Sequence, residues 1–326
     1  MIASWYDRQG PAAEVLRVGE LPDPVPGPGE VRVRVTVSGV NPGDTKKRRG
    51  WTGAVMPYPR IVPHSDAAGV VDTVGDGVDP GRVGQRVWVY GAQSYRPFGT
   101  AARYTVVPGD LAVPLPDQLP DDLGACLGIP GITAHRCVFA DGPVAGLHVL
   151  VNGVLGGVGS LAAQLARWGG ATVIGTVRRA TDLDRVDPGV VPHAVALDSA
   201  DPASAIRARA PRGVDRIIEV ALSDNAGLDA AVAANGAVVA AYATHADRTE
   251  IPFWDLLFKN VTLRLTGSDD FPAEAKRQAA RDLTAAAAEG ALSVEVGARF
   301  PLTGIAEAHD RVDAGGRGRV LVDVPR

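Results

Sequence analysis

The chain has 326 residues, 46% of them apolar, and a net charge of −4, enough to bury a sizeable core in two domains and the wrong sign for a nucleic-acid or anionic-membrane surface. Positive charge is concentrated only from Lys46 to Arg49, and a basic run that short reads as a solvated loop. The N-terminus has no charged start followed by an apolar stretch, and no later window reaches membrane-spanning length, so the expectation is a cytoplasmic protein without nucleic-acid or membrane partners.

Up to about residue 120 the pattern is β-rich, with short apolar or alternating runs broken by Gly and Pro. The proline-studded stretch from Leu21 to Gly29 reads as an extended connection. From Val31 to Val37 valine alternates strictly with Arg and Thr, which predicts a strand with one buried and one wet face. Further strands are expected at 67–74 and 85–90. From residue 121 the rhythm changes to apolar runs separated by helical stretches, the signature of βαβ units around a parallel sheet. Six strands are expected, at 148–152, 171–177, 194–197, 215–220, 237–242 and 261–266, enough for a doubly wound sheet. Between the first two, Leu161, Leu165 and Trp168 fall on one helical face ahead of Gly169-Gly170. Residues 272–289 read as an amphipathic Ala-rich helix and 319–324 as a final strand.

The central motif is the glycine-rich turn from Val151 to Ser160, which follows a strand and opens a helix as a dinucleotide fingerprint requires. Leu155, Gly156, Gly157, Val158 and Gly159 would wrap the pyrophosphate: Gly156 lets the backbone approach it, and Gly159 lets helix and strand pack closely. Val154 stands where the fingerprint's first glycine is expected, and a ligand-free tight turn is the competing reading. An NAD enzyme carries Asp or Glu about 20 residues later to hold the ribose hydroxyls. Here the second strand ends Thr176-Val-Arg178-Arg179, a hydroxyl and two guanidiniums suited to a 2′-phosphate. NADPH is the expected cofactor, against the bland reading of solvent-exposed arginines with Asp182 and Asp184 close by. The two cysteines, Cys126 and Cys137, are too few for a disulfide framework or a four-thiolate zinc lobe and read as buried fillers.

Taken together, the motifs Ser38 to Asp44, Pro63 to Val70, Gly128 to Ala134, Gly156-Gly-Val-Gly159 and Ala308-His309 with Gly316 to Val320 resemble the medium-chain dehydrogenase/reductase superfamily, and within it the zeta-crystallin-like quinone oxidoreductases. The resemblance implies an α/β architecture in which a GroES-like substrate domain, 1–120 completed by 291–326, accompanies a Rossmann NADPH-binding domain, 121–290. It also implies a homodimer paired along the sixth strand. The three positions that hold catalytic zinc in the metal-dependent members correspond here to Asn41, Ser65 and Ile129, so no metal is expected. His64 falls one residue early, where the superfamily usually has glycine. Without a Lewis acid the acceptor must already be electron-poor, a quinone or an α,β-unsaturated carbonyl.

By the same resemblance Asn41 lines the nicotinamide pocket and is the candidate hydrogen-bond donor to a developing enolate, with Thr133 on the cofactor. Asn41 could instead be only a turn residue before Pro42, and Thr133 only a helix cap. Lys46 replaces a tyrosine common in relatives and could donate a proton or be surface charge. Tyr242 is placed on the cofactor at the end of the fifth strand, and Arg317 with Arg319 near the 2′-phosphate. Trp51, Tyr58 and Trp254 could wall a flat acceptor, and His135 reads as structural. Two alternatives stay open: an enoyl-thioester or haloacrylate reductase, and a non-catalytic NADPH-binding protein of crystallin type.

Overall fold

The computed structural model describes residues 1–53 and 55–325. A short antiparallel pair, β1 (Ile2–Trp5) and β2 (Arg17–Glu20) around α1 (Ala12–Val15), precedes the long strand β3 (Glu30–Val40). In β3 the alternation works as its period dictates: Val31, Val33, Val35 and Val37 are buried, while Arg32, Arg34 and Thr36 are half-exposed on the other face. There follow α2 (Pro42–Arg49), β4 (Asp66–Val74), β5 (Arg86–Val89), β6 (Tyr104–Pro108), β7 (Ala112–Pro114) and α3 (Asp121–Gly124). β3 pairs antiparallel with β4 along one edge and with β6 along part of the other; β4 continues to β5 and β5 to β7, all antiparallel.

Two expectations change here. The basic run is not a loop but the last turn of α2, closed by Gly50 in the left-handed region at φ 75°. Lys46, Lys47, Arg48 and Arg49 therefore sit at the helix's negative end, and Arg48 is buried, with its guanidinium 2.8 Å from Asp313. Residues 121–130, where the rhythm changes, stay with the β-rich unit. α3 is pinned there by Asp121, which accepts from Thr36 at 2.8 Å and Arg86 at 2.6 Å.

The second unit, Gly131–Leu292, takes in most of α4 (Ile129–Phe139) and then β8 (His148–Val151), α5 (Gly157–Trp168), β9 (Thr172–Val177), β10 (His193–Ala196), α6 (Pro202–Arg207), β11 (Val214–Glu219), α7 (Leu222–Val232), β12 (Ala233–Ala241), α8 (Phe253–Leu257), β13 (Thr262–Leu265) and α9 (Ala273–Ala288). The sheet order is β10-β9-β8-β11-β12-β13, every pair parallel. Counted from β8 this is 3-2-1-4-5-6, the doubly wound order, whose reversal between the first and fourth strands opens the crevice in which dinucleotides bind. Leu150, Ile174, Ile217 and Val239, from four neighbouring strands, share one core cluster. Leu161 and Leu165 of α5 are fully buried, and Trp168 meets Phe139 edge-on.

The chain then returns to the first unit with β14 (Val296–Pro301), α10 (Ile305–Asp313) and β15 (Arg319–Asp323). β15 lies parallel to β14 and antiparallel to the end of β3, so the last strand of the sequence completes the sheet that its beginning started.

Candidate functional site

The dinucleotide turn is built from small residues because its backbone is crowded. A Cβ on Gly159 would lie 2.2 Å from the Gly153 carbonyl, so only glycine lets α5 start this close to the turn. Val154, the departure from the fingerprint, is accommodated from two sides. Gly153 takes the left-handed conformation at φ 72° one residue earlier, and Gly175 leaves room where its own Cβ would come within 2.5 Å of the valine side chain. Val154 then donates its N–H to the Thr176 carbonyl at 3.1 Å. Gly156 caps α5 with no side chain, and the first turn has no acid. The N–H groups of Gly157, Val158 and Gly159 are thus left without intrahelical acceptors at the positive end of the helix dipole, an arrangement suited to a pyrophosphate. Gly156 and Gly157 are exposed, and Leu155 and Val158 half-exposed.

At the tip of β9, Arg178 and Arg179 are exposed, and their guanidiniums make no hydrogen bond or ion pair among the described residues. Thr176 is different. It is fully buried, its hydroxyl accepts from Gly153 N at 3.2 Å and donates to Asn152 Oδ1 at 2.9 Å, so it ties the turn to the neighbouring strand and is not free to bind a phosphate. Tyr242, just past β12, is half-buried, donates its N–H to the Glu219 carbonyl at 3.0 Å, and its phenol is pushed up by burial. Thr133 lies inside α4 and is buried, so it is not a helix-start cap.

In the first unit, Asn41 stands at the start of α2 with its N–H on the Asp44 carboxylate at 2.7 Å. Its side-chain Nδ2 donates to Asp66 at 2.7 Å and its Oδ1 accepts from Arg319 at 2.7 Å. Arg319 is therefore a buried residue of β15 that fixes the Asn41 amide, not a partner of the 2′-phosphate. Asp66 also accepts from Ile129 N at 2.9 Å, and Gly128 is required beside it because a Cβ there would fall 2.0 Å from Asp66 Oδ1. Burial pushes the Asp66 carboxyl up to about 7, against the Asn41 hydrogen bond that lowers it. The positions equivalent to zinc ligands thus present an amide already held by a guanidinium, a hydroxyl and an aliphatic side chain, a donor set that does not fit tetrahedral zinc.

His64, in the glycine position, has φ 74°. This left-handed conformation costs a residue with a Cβ about 1 kcal/mol, and a directed chain of hydrogen bonds holds it. Thr100 donates its hydroxyl hydrogen to the Asp66 carbonyl at 2.8 Å, so it accepts from Ser38 at 2.7 Å. Ser38 then accepts from His64 Nδ1 at 2.9 Å, which leaves His64 Nε2 to accept from His309 Nε2 at 2.9 Å. His309 Nδ1 accepts from Arg48 Nε at 3.3 Å. Every hydrogen is assigned with both rings neutral. Burial agrees, holding His64 at about 3 and His309 well below its ordinary value.

Of the other candidates, Lys46 places its ammonium 4.5 Å above the Trp51 ring, Tyr58 donates its hydroxyl to the Tyr95 carbonyl at 2.6 Å, and Arg317 is exposed between α10 and β15. Trp254 does not line a site within its unit; it is exposed on α8 between Phe253 and Phe258. His135 pairs with Asp282 at 2.7 Å. Sequence reasoning missed the buried polar residues below the turn, Asn152, Glu219 and Asp229. The only signal for Asn152 and Glu219 is a polar residue closing an apolar strand, and Asp229 on α7 has none.

The alcohol dehydrogenase GroES-like domain matches residues 27–117, and the zinc-binding dehydrogenase family matches residues 157–283. The quinone oxidoreductase of Mus musculus is 30% identical over 95% of this chain and 94% of its own. Among solved structures, a mycobacterial quinone oxidoreductase aligns at a TM-score of 0.85 with 26% identity, covering 99% of each chain. A mycobacterial protein complexed with NADPH aligns at 0.83 with 25% identity over 99% of each. With its 3-2-1-4-5-6 sheet, glycine-lined helix start and two-segment β unit, this chain belongs to the medium-chain dehydrogenase/reductase superfamily and, within it, to the zeta-crystallin-like quinone oxidoreductases.

Proposed function

We propose that the protein is an NADPH-dependent oxidoreductase that passes hydride to a quinone or an α,β-unsaturated carbonyl without a metal, as a cytoplasmic homodimer. One observation carries the reading: an uncapped helix start on the same sheet as two unengaged guanidiniums at the tip of β9, where an NAD enzyme would present a carboxylate. It is supported by relatives named quinone oxidoreductase and by a structural neighbour complexed with NADPH. Bound NADPH supplies the hydride. The N–H groups at the start of α5 hold the pyrophosphate, Arg178 and Arg179 the 2′-phosphate, and Thr133, Tyr242 and Arg317 complete the cofactor set. In the Asn41 amide, Arg319 fixes the oxygen and Asp66 takes one hydrogen, so the second N–H is oriented as the donor for a developing enolate. Lys46, held on Trp51, is the candidate source of the proton that follows.

Freedom from zinc is supported by the donor set at Asn41, Ser65 and Ile129. A reducing compartment is supported by the two buried free thiols. The test is NADPH consumption with a panel of small quinones, enones and an enoyl thioester, alongside metal analysis of the purified protein. Turnover on quinones or enones with NADPH preferred over NADH, at substoichiometric zinc, is expected. Tight NADPH binding with no turnover on any acceptor would favour the crystallin-type reading, and stoichiometric zinc whose removal abolishes activity would sink the proposal.

A further inference from the structure

Beneath the glycine-rich turn, Asn152 at the end of β8, Thr176 on β9, Glu219 at the end of β11, and Asn225 and Asp229 on α7 are all buried and bonded to one another. Their donors and acceptors do not balance if both acids are ionised. Glu219 is well supplied with donors: Oε1 accepts from Ala221 N and from Asn225 Nδ2 at 3.1 Å, and Oε2 from Asn152 Nδ2, with the same Asn225 nitrogen shared onto Oε2 at 3.2 Å, three donor groups that leave one acceptor site open. Asp229 is not. Its Oδ1 accepts only from Asn152 Nδ2 at 3.1 Å, and no donor reaches its buried Oδ2. Both carboxyl groups meet at the same Asn152 nitrogen, and two charges in so dry a pocket cannot both persist.

We propose that Asp229 is a neutral acid that donates its hydrogen to the Glu219 carboxylate, and that this pair, through Asn152 and Thr176, is the positioning device that holds the glycine-rich turn in its dinucleotide-binding form. The hydrogen gives the orphaned Asp229 oxygen its partner, and Glu219 keeps the charge because it has the donors. The order of donation runs inward, from the turn to Glu219. Asn152 donates to the acids and accepts from the Thr176 hydroxyl, which accepts from Gly153 N, the left-handed residue that starts the turn. Burial and the nearby Glu219 both push the Asp229 carboxyl well above its ordinary range. A single device thus joins three neighbouring strands below the point where the pyrophosphate binds.

The inference rests on the NADPH site proposed above and is tested on the full chain by fluorescence titration with NADPH. Asp229→Asn presents an amide with the donor and acceptor pattern of a neutral acid, and should keep NADPH affinity within about twofold of the unsubstituted protein. Glu219→Gln turns an NH2 toward groups that are already donors, and should weaken NADPH about tenfold or more. Thr176→Val should weaken it likewise, and Thr176→Ser should restore it, with kcat at saturating NADPH changing less than affinity. If Glu219→Gln fails to fold, the infrared carbonyl band of a protonated carboxylic acid decides: it should be present at pH 8 and missing from Asp229→Asn. Loss of affinity in Asp229→Asn equal to that in Glu219→Gln, or no such band at pH 8, overturns the pair while leaving the NADPH site standing. Failure of the unsubstituted protein to bind NADPH removes both.

Discussion

His64 and His309 are two imidazoles that the fold keeps uncharged. Between them the chain from Arg48 to the Asp66 carbonyl allows one tautomer each, Nδ1–H on His64 and Nε2–H on His309. Their folded values lie below the usual 6.5, so under acid the unfolded chain binds protons that the folded protein refuses. Their contribution to stability is therefore intact above pH 6.5 and lost as pH falls below it. Asp66 acts in the opposite sense: its folded value is raised from 3.8 to about 7, so it favours the fold at low pH and loses that contribution as pH rises through 7. To separate the two, His64→Asn removes one histidine titration and puts at φ 74° a residue that tolerates it. In urea denaturation the unsubstituted protein should lose about 1.4 kcal/mol more per pH unit than this variant between pH 6 and pH 4. Parallel stability curves would show that His64 titrates normally. At this scale the sequence was least legible. Arg319 and Thr176 were recognised as polar residues near a motif, but a basic or hydroxyl side chain in a strand can face a ligand or the interior, and only the three-dimensional neighbours, Asn41 and Asn152, decide which. Arg48 was hidden because a run of four cations says nothing about which one is buried.

Elements were far easier to read, because each has a period. The six strands of the doubly wound sheet fall within a few residues of where apolar runs placed them, β12 starting earliest at Ala233, and the crossover helix α5 ends at Trp168, directly ahead of Gly169-Gly170 as expected. What periodicity could not give was the joint between β8 and β9, where Val154 breaks the fingerprint and Gly153 and Gly175 repair it from positions outside the usual spacing. That joint matters for selectivity, since the helix start meets a pyrophosphate common to both dinucleotides while only the β9 tip can sense the 2′-phosphate. Replacing Arg178 and Arg179 together by Ala should raise the dissociation constant for NADPH about tenfold to a hundredfold, as expected for losing charge-assisted hydrogen bonds, and change that for NADH less than about twofold. Calorimetric titration of both nucleotides checks this. Equal losses would mean that the arginines act only through general charge.

The molecule as a whole leaves one edge of the doubly wound sheet in an unusual state. Among the described residues β13 pairs only with β12, and its Leu265 is 72% exposed. On α8 and its C-terminal cap, which run directly before it, Trp254 is 66% and Phe258 77% exposed, and Phe253 and Leu257 are also exposed. An unpaired ladder beside an aromatic surface is a liability for a monomer, and a two-fold axis along β13 would remove both problems, as strand pairs with strand and the α8 faces cover each other. The opposite edge, β10, needs no such cover, since Val195 and Ala196 are already buried. The expected state is thus a dimer continuous through β13, with the dinucleotide sites independent of the contact because the glycine turn lies at β8, three strands inward. Trp254→Glu combined with Phe258→Glu should shift sedimentation from dimer to monomer at micromolar protein, weakening association a hundredfold or more by about the burial of two aromatic side chains, while NADPH affinity stays within about twofold. A monomer before substitution would remove the interface, a dimer indifferent to both charges would place it elsewhere, and either would leave the aromatic face of α8 without a purpose.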